Sequence, residues 1–208
     1  MNMNWANRVT ILRILLIVPF VSCMLKINDV ELSQTMQNVM RYIAAGIFLV
    51  MAASDVLDGY LARKNGQVTK LGSFLDPLAD KLLMVCACLL LASQKAHVPG
   101  FRLPQTVVVL IIGKDLFLLI GFFVVYLITL QIRIIPAPIG KFATALQLSM
   151  VTAILLAPEV STLIPAWIWF LRLLWWSAAI TAILGTLIYI HTGSRYIEQH
   201  ERSLNQQN

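Results

Sequence analysis

The sequence predicts an all-α polytopic membrane protein, with six transmembrane helices in a single domain of residues 1–208 and a short interfacial helix ahead of the first span. Three observations predict it. First, 59% of residues are hydrophobic and only 12% are charged, whereas a soluble domain carries about 25% charged residues, so most of the surface faces something other than water. Second, apolar runs recur at close to the 20 or so residues that a helix needs to cross a hydrocarbon core roughly 30 Å thick. Third, the connections between the runs are short and hold the expected Gly, Pro and polar breakers, with no linker, low-complexity stretch or repeat.

The elements follow in order. Residues 1–13 mix Trp5 with Asn7, Arg8 and Arg13, the pattern of a helix lying at the head-group level. The first span covers 10–26. Its basic start and apolar run look like a secretory leader, but Leu25-Lys26-Ile27-Asn28 follows instead of a small-residue cleavage site, so it is expected to be retained. The remaining spans are expected at 40–62, 72–93, 105–129, 138–157 and 163–191.

With six spans both termini lie on one side of the membrane. Nine cations (Arg8, Arg13, Arg63, Lys64, Lys70, Arg133, Lys141, Arg195, Arg202) fall on that side and four (Lys26, Arg41, Lys95, Arg102) on the other. The excess places the termini and the 64–71 loop in the cytoplasm, and the chain in a cell (inner) membrane. The net charge of +6 fits that asymmetry, and it also suits anionic lipid head groups. Trp167, Trp169, Trp175 and Trp176 are expected to form an aromatic belt against lipid. Cys23, Cys86 and Cys88 lie in apolar runs without metal-ligand spacing and are expected to be fillers.

The acids carry the chemistry. Four of the six aspartates lie between positions 55 and 80, inside or at the edge of expected membrane helices. Each buried aspartate opposes insertion by about 2.5–3.5 kcal/mol, so four together need compensation. Asp55 and Asp58 are three residues apart, and Asp76 and Asp80 four apart, which puts each pair on one helix face. A short loop joins the two helices, so they are expected to be antiparallel neighbours with both pairs at the same end. Arg63, Lys64 and Lys81 balance part of the charge. Hard divalent cations suit the carboxylate oxygens and balance the rest, with magnesium or manganese the best match.

Gly59 follows Asp58, and Gly72 stands one turn before Asp76. Glycine inside a helix costs about 1 kcal/mol against alanine, and close approach of a ligand to the backbone is one reason to carry that cost. Tight helix packing is the other. Arg63 offers a fixed, always-charged donor fork for phosphate.

Read together, Asp55-x-x-Asp58-Gly59-x-x-Ala62-Arg63, eight residues, and Gly72-x-x-x-Asp76-x-x-x-Asp80 match a fixed pattern at every specified position. The pattern resembles that of the CDP-alcohol phosphatidyltransferases, and length and span layout extend the resemblance over nearly the whole chain. It implies two metal ions, Mg2+ or Mn2+, held by Asp55, Asp58, Asp76 and Asp80 in a polar cavity open to the cytoplasm. It also implies that Asp80 serves as the general base on the acceptor hydroxyl, and that Gly59, Ala62, Arg63, Thr69 and Gly72 cradle the CDP moiety. Asn7, Thr10 and Arg13 match a second family element near the nucleotide. The implied partners are CDP-diacylglycerol, an alcohol acceptor and membrane lipid, with no nucleic acid; the family is often dimeric, which implies a homodimer.

An activated diphosphate needs no covalent enzyme nucleophile, and no Ser-His-Asp arrangement stands out. His97, His191 and His200 are expected on loops or at the terminus. For the acceptor, Lys114, Arg133 and Lys141 are the candidate binding residues, and three cations suit a phosphorylated alcohol such as glycerol 3-phosphate. Lys114 lies in an apolar run and is expected either to pair with Asp115 or another acid, or to meet an anionic substrate.

Gly140-Lys141-x-x-Thr144 and the chain length look like the phosphatidylglycerophosphate synthases of the family. Those usually carry Arg-Glu in place of Lys114-Asp115 and a lysine in place of Ala143. Cardiolipin synthases, with phosphatidylglycerol as acceptor, accommodate both features and remain the alternative. A small cation transporter would be the reading from another class, but its site would sit at the midplane between repeated halves, and no half-repeat is visible here.

Overall fold

The computed structural model describes the backbone of residues 5–64, 70–129 and 138–205, and the side-chain surroundings of residues 10–54, 79, 81–121, 140 and 142–195. Among the described residues the chain is all-helical, without strands: α1 (Trp5–Leu25), α2 (Gln34–Lys64), α3 (Lys70–Ala92), α4 (Gln105–Thr129), α5 (Pro138–Leu155), α6 (Ala157–Leu163) and α7 (Trp167–Asn205).

Three boundaries differ from the sequence expectation. From Trp5 onward the expected interfacial helix is not a separate element: it runs unbroken into the first span as α1, since residues 5–13 contain no breaker. The expected fifth span ends in a bend of 74° between α5 and α6. Its cause is Pro158, which lacks the N–H that would reach the Ile154 carbonyl and whose ring crowds that turn. Finally, α7 extends to Asn205, which makes His191 and His200 helical instead of loop or terminal residues.

Membrane-crossing capacity follows from length and composition. Among the described residues, 34–54 of α2 and 167–195 of α7 are long and apolar enough to cross a membrane, and the bent pair α5–α6 makes a third span if counted as one. The apolar parts of α1 and α3 at 10–25 and 81–92 are shorter. Outward faces carry large apolar side chains, such as Val109, Leu116 and Leu119 on α4 and Leu173, Ile180 and Leu187 on α7. Trp169 and Trp176 share that exposure and fit a belt. Trp175 does not: it is buried in the core.

The helices pack as two trios. Helix α1 packs against both α2 and α3, and α7 packs against both α4 and α5; contacts α2–α5, α3–α4 and α3–α5 join the trios. Between them lies a core of Phe20, Phe48, Met51, Leu83, Met84, Ile111, Met150 and Ile154. At the end near the α5–α6 bend, Arg41 donates Nη1–H to the Leu155 carbonyl (2.9 Å) and to Glu159 Oε2 (2.7 Å), and Tyr42 donates to Glu159 Oε1 (2.6 Å). These bonds tie α2 to a helix end whose carbonyls have lost their intrahelical partners.

The α3–α4 connection closes with a turn in which Phe101 N–H bonds the Val98 carbonyl at 2.9 Å and Gly100 has φ +82°. Pro99 and Gly100 occupy the positions that a type II turn assigns to them. Gly100→Ala is expected to cost about 1 kcal/mol through its left-handed backbone. A lowered thermal midpoint in detergent, at unchanged activity of the folded fraction, checks it.

Candidate active site

Helix α2 ends at Lys64 and α3 begins at Lys70, so six peptide steps hold those ends within roughly 20 Å of each other. Asp55, Asp58, Gly59, Ala62 and Arg63 occupy the closing turns of α2, and Gly72, Asp76 and Asp80 the opening turns of α3. Chain connectivity therefore puts both carboxylate pairs toward the same end of the bundle. The side chains of these residues lie outside the described residues, as do those of Asn7 and Lys141, and Thr69 and Arg133 lie outside altogether. Among the described residues no three His, Cys, Asp or Glu groups gather as metal ligands.

Thr10 and Arg13 are described, and both are buried on α1. Three residues apart, they lie on one helix face, and α1, like α5, packs on both aspartate-bearing helices. A buried arginine in an apolar span is costly unless its charge is compensated, and Arg13 does have an interaction partner. The expected second element of the site thus sits on the helix that adjoins the first.

Lys114 and Asp115 form the sharpest feature of the described residues. Lys114 Nζ lies 3.0 Å from Asp115 Oδ1, and Lys81 Nζ lies 2.7 Å from the same oxygen. The side chains of Lys114 and Asp115 are only 5% and 8% exposed, against 37% for Lys81. Asp115 Oδ2 is buried with no hydrogen-bond partner among the described residues. Of the alternatives for Lys114, pairing with Asp115 is therefore present. Lys81 reaches across to α4, while the aspartates whose charge it is expected to offset have side chains outside the described residues. Asp115 thus holds one buried and one partly exposed ammonium through a single oxygen, one residue along α3 from Asp80.

The far side is built by α5 and α7. A Cβ at Gly140 would stand 3.2 Å from the Tyr189 hydroxyl, and one at Gly185 would stand 3.9 Å from Lys114 Cδ. The small residues let α5 and α4 approach α7 closely here. At the other end Trp167 Nε1–H donates to the Ala153 carbonyl at 3.4 Å, so α5 and α7 run antiparallel. Sequence reasoning passed over two residues of this region. Asp115 was read only as one partner for Lys114, although it holds two lysines. Gln147 was not singled out at all, yet it is the one amide in the apolar stretch of α5, which was a visible signal. It is 0% exposed, and among the described residues neither its Nε2 nor its Oε1 has a partner.

Comparison with known proteins places these helices in a family context. The model of the CDP-alcohol phosphatidyltransferase family matches residues 3–187. A Pseudomonas fluorescens protein named CDP-diacylglycerol–glycerol-3-phosphate 3-phosphatidyltransferase is 39% identical over 55% of this chain and 52% of its own length. One of the same name from Bacillus subtilis is 35% identical over 74% of this chain and 77% of its own. A human cardiolipin synthase (CMP-forming) is 32% identical over 75% of this chain and 54% of its own. The chain thus spans about half the length of the Pseudomonas and human relatives and most of the Bacillus one.

Proposed function

Because the chain belongs to the CDP-alcohol phosphatidyltransferase family, we propose that it transfers the phosphatidyl group of CDP-diacylglycerol to glycerol 3-phosphate, giving phosphatidylglycerophosphate and CMP. The observation that carries the reading is the complete aspartate–glycine–arginine pattern at 55–80, set on the end of α2 and the start of α3. The relatives from Pseudomonas and Bacillus supply the acceptor.

The donor set suits a pair of Mg2+ or Mn2+ ions, since it consists of four hard carboxylate oxygen donors on two connected helix ends. Asp55, Asp58, Asp76 and Asp80 would hold them, and bound ions supply neutralisation of the diphosphate charge. The remaining work falls to the protein. Gly59, Ala62, Gly72 and Thr69 line the backbone against the cytidine diphosphate, and Arg63, with Asn7, Thr10 and Arg13 on α1, orients its phosphates.

Asp80 takes the proton of the acceptor hydroxyl as its oxygen bonds to the phosphatidyl phosphorus, and the bond from that phosphorus to CMP breaks. Lys114, Arg133 and Lys141 attract the acceptor's own phosphate. Six spans, with the termini and the site toward the cytoplasm of an inner membrane, complete the picture; the nine-to-four distribution of cations supports it.

One specific observation favours a second reading. The human relative is named a cardiolipin synthase, and Lys114-Asp115 departs from the Arg-Glu usual in phosphatidylglycerophosphate synthases. The two readings separate in one assay. The purified enzyme is given CDP-diacylglycerol, magnesium or manganese, and either glycerol 3-phosphate or phosphatidylglycerol, and the lipid product is identified. Phosphatidylglycerophosphate is expected; cardiolipin with no response to glycerol 3-phosphate would overturn the first reading. Chelation with EDTA is expected to abolish CMP release and excess Mg2+ or Mn2+ to restore it. Full activity in the chelator would remove the metal from the proposal.

A further inference from the structure

We infer that Gln147 reads the second, non-attacking hydroxyl of the acceptor, and so sets the preference for a glycerol unit over a simple alcohol; this rests on the transfer reaction proposed above. The inference starts from depth. Arg41 near the start of α2 bonds Leu155 at the end of α5, so the two helices run antiparallel and α5 starts at the end of the bundle where α2 closes and α3 opens. Gln147 is nine residues into α5 and Asp80 ten residues into α3, about 13.5 and 15 Å at 1.5 Å per residue. Gln147 thus stands near the depth of Asp80, on a helix that packs against both α2 and α3.

Its chemistry then selects the ligand. A fully buried side chain amide with both ends unpaired is rare, because buried polar groups almost always find partners. The Gln147 amide offers an N–H donor and a carbonyl acceptor side by side, and a hydroxyl is the small group that both accepts and donates. It carries no charge with which to hold a phosphate, a task that the proposed reaction gives to Lys114, Arg133 and Lys141. A polyol phosphate extends from those cations with its hydroxyls displaced by a few ångströms. One hydroxyl attacks, and the other meets the amide. Among the described residues of α7, the Trp175 indole N–H is also buried without a partner, but it has no acceptor function and cannot reproduce this match.

The test compares glycerol 3-phosphate with 3-hydroxypropyl phosphate, which lacks only the secondary hydroxyl, in the full-length enzyme and in Gln147→Leu. The wild type is expected to prefer glycerol 3-phosphate in kcat/KM by tenfold or more, about the worth of one buried hydrogen bond. In the variant the preference falls toward unity through a raised KM for glycerol 3-phosphate, with the KM for CDP-diacylglycerol unchanged. Its thermal midpoint stays level or rises, because an apolar isostere replaces an unsatisfied amide.

A preference unchanged in Gln147→Leu overturns the inference, and so does a shared loss of midpoint in Gln147→Leu and Trp175→Phe with no change in acceptor KM, which would mark a structural bond between the two. Gln147→Met provides the same comparison if the leucine variant fails to fold. Wild-type use of glycerol 3-phosphate tests the transfer reading separately. Were phosphatidylglycerol the acceptor instead, its deoxy head-group analogue takes the same place in the comparison.

Discussion

Asp80→Asn is expected to lower CMP release by about 10²–10⁴-fold, the usual worth of a general base. The amide keeps the size of the side chain but cannot accept the proton that the acceptor hydroxyl must lose. Position supports the assignment. Asp80 is the deeper of the two aspartates in α3, ten residues from the start of the helix at Lys70, about 15 Å at 1.5 Å per residue. Its neighbour Lys81 reaches Asp115 on α4, so α3 at this level faces the helix that carries Lys114. Steady-state CMP release with saturating CDP-diacylglycerol measures the effect. A variant within threefold of wild type would move the base elsewhere, and a loss confined to the KM for metal would leave Asp80 as a ligand alone.

Asp115→Leu carries the second large effect, and it is one of stability. The substitution removes the carboxylate shared by Lys81 and Lys114. Lys81 is partly exposed and can turn to water, but Lys114 is buried and loses a charge partner. Removing one member of a buried ion pair costs about 3–5 kcal/mol, because the remaining charge stays desolvated. Thermal unfolding in detergent reads it directly. The double substitution Lys114→Met with Asp115→Leu distinguishes charge from packing: it is expected to recover most of the loss, since both charges then leave together. Recovery of stability without recovery of acceptor KM would further assign Lys114 to the substrate. A single variant as stable as wild type would mean that the Asp115 carboxylate contributes nothing net.

Much of this was legible in the sequence, and for identifiable reasons. Helix spacing is a one-dimensional property, so the pairing of Asp55 with Asp58 and of Asp76 with Asp80 needs no tertiary information. The same is true of the helix-length apolar runs, of Pro138 at the start of α5, and of Gly100 at its turn. Other features depend on which helices meet. Whether Lys81 serves its own helix or the next one cannot be read from its place beside Asp80; it reaches α4 because α3 and α4 pack antiparallel. The Trp cluster shows the same limit. Four tryptophans within ten residues read as one belt, but helical rotation sends Trp169 and Trp176 outward and Trp175 into the core.

The sequence by itself determined the helical class, the aspartate-rich pattern and the family, because composition and local spacing are written residue by residue. Only the tertiary structure decided that Asp115 holds two lysines, that Thr10 and Arg13 are buried on a helix packed against both aspartate-bearing ones, and that Gln147 is enclosed with no partner among the described residues. Burial and pairing between helices are set by packing, and packing brings together residues that the chain keeps far apart.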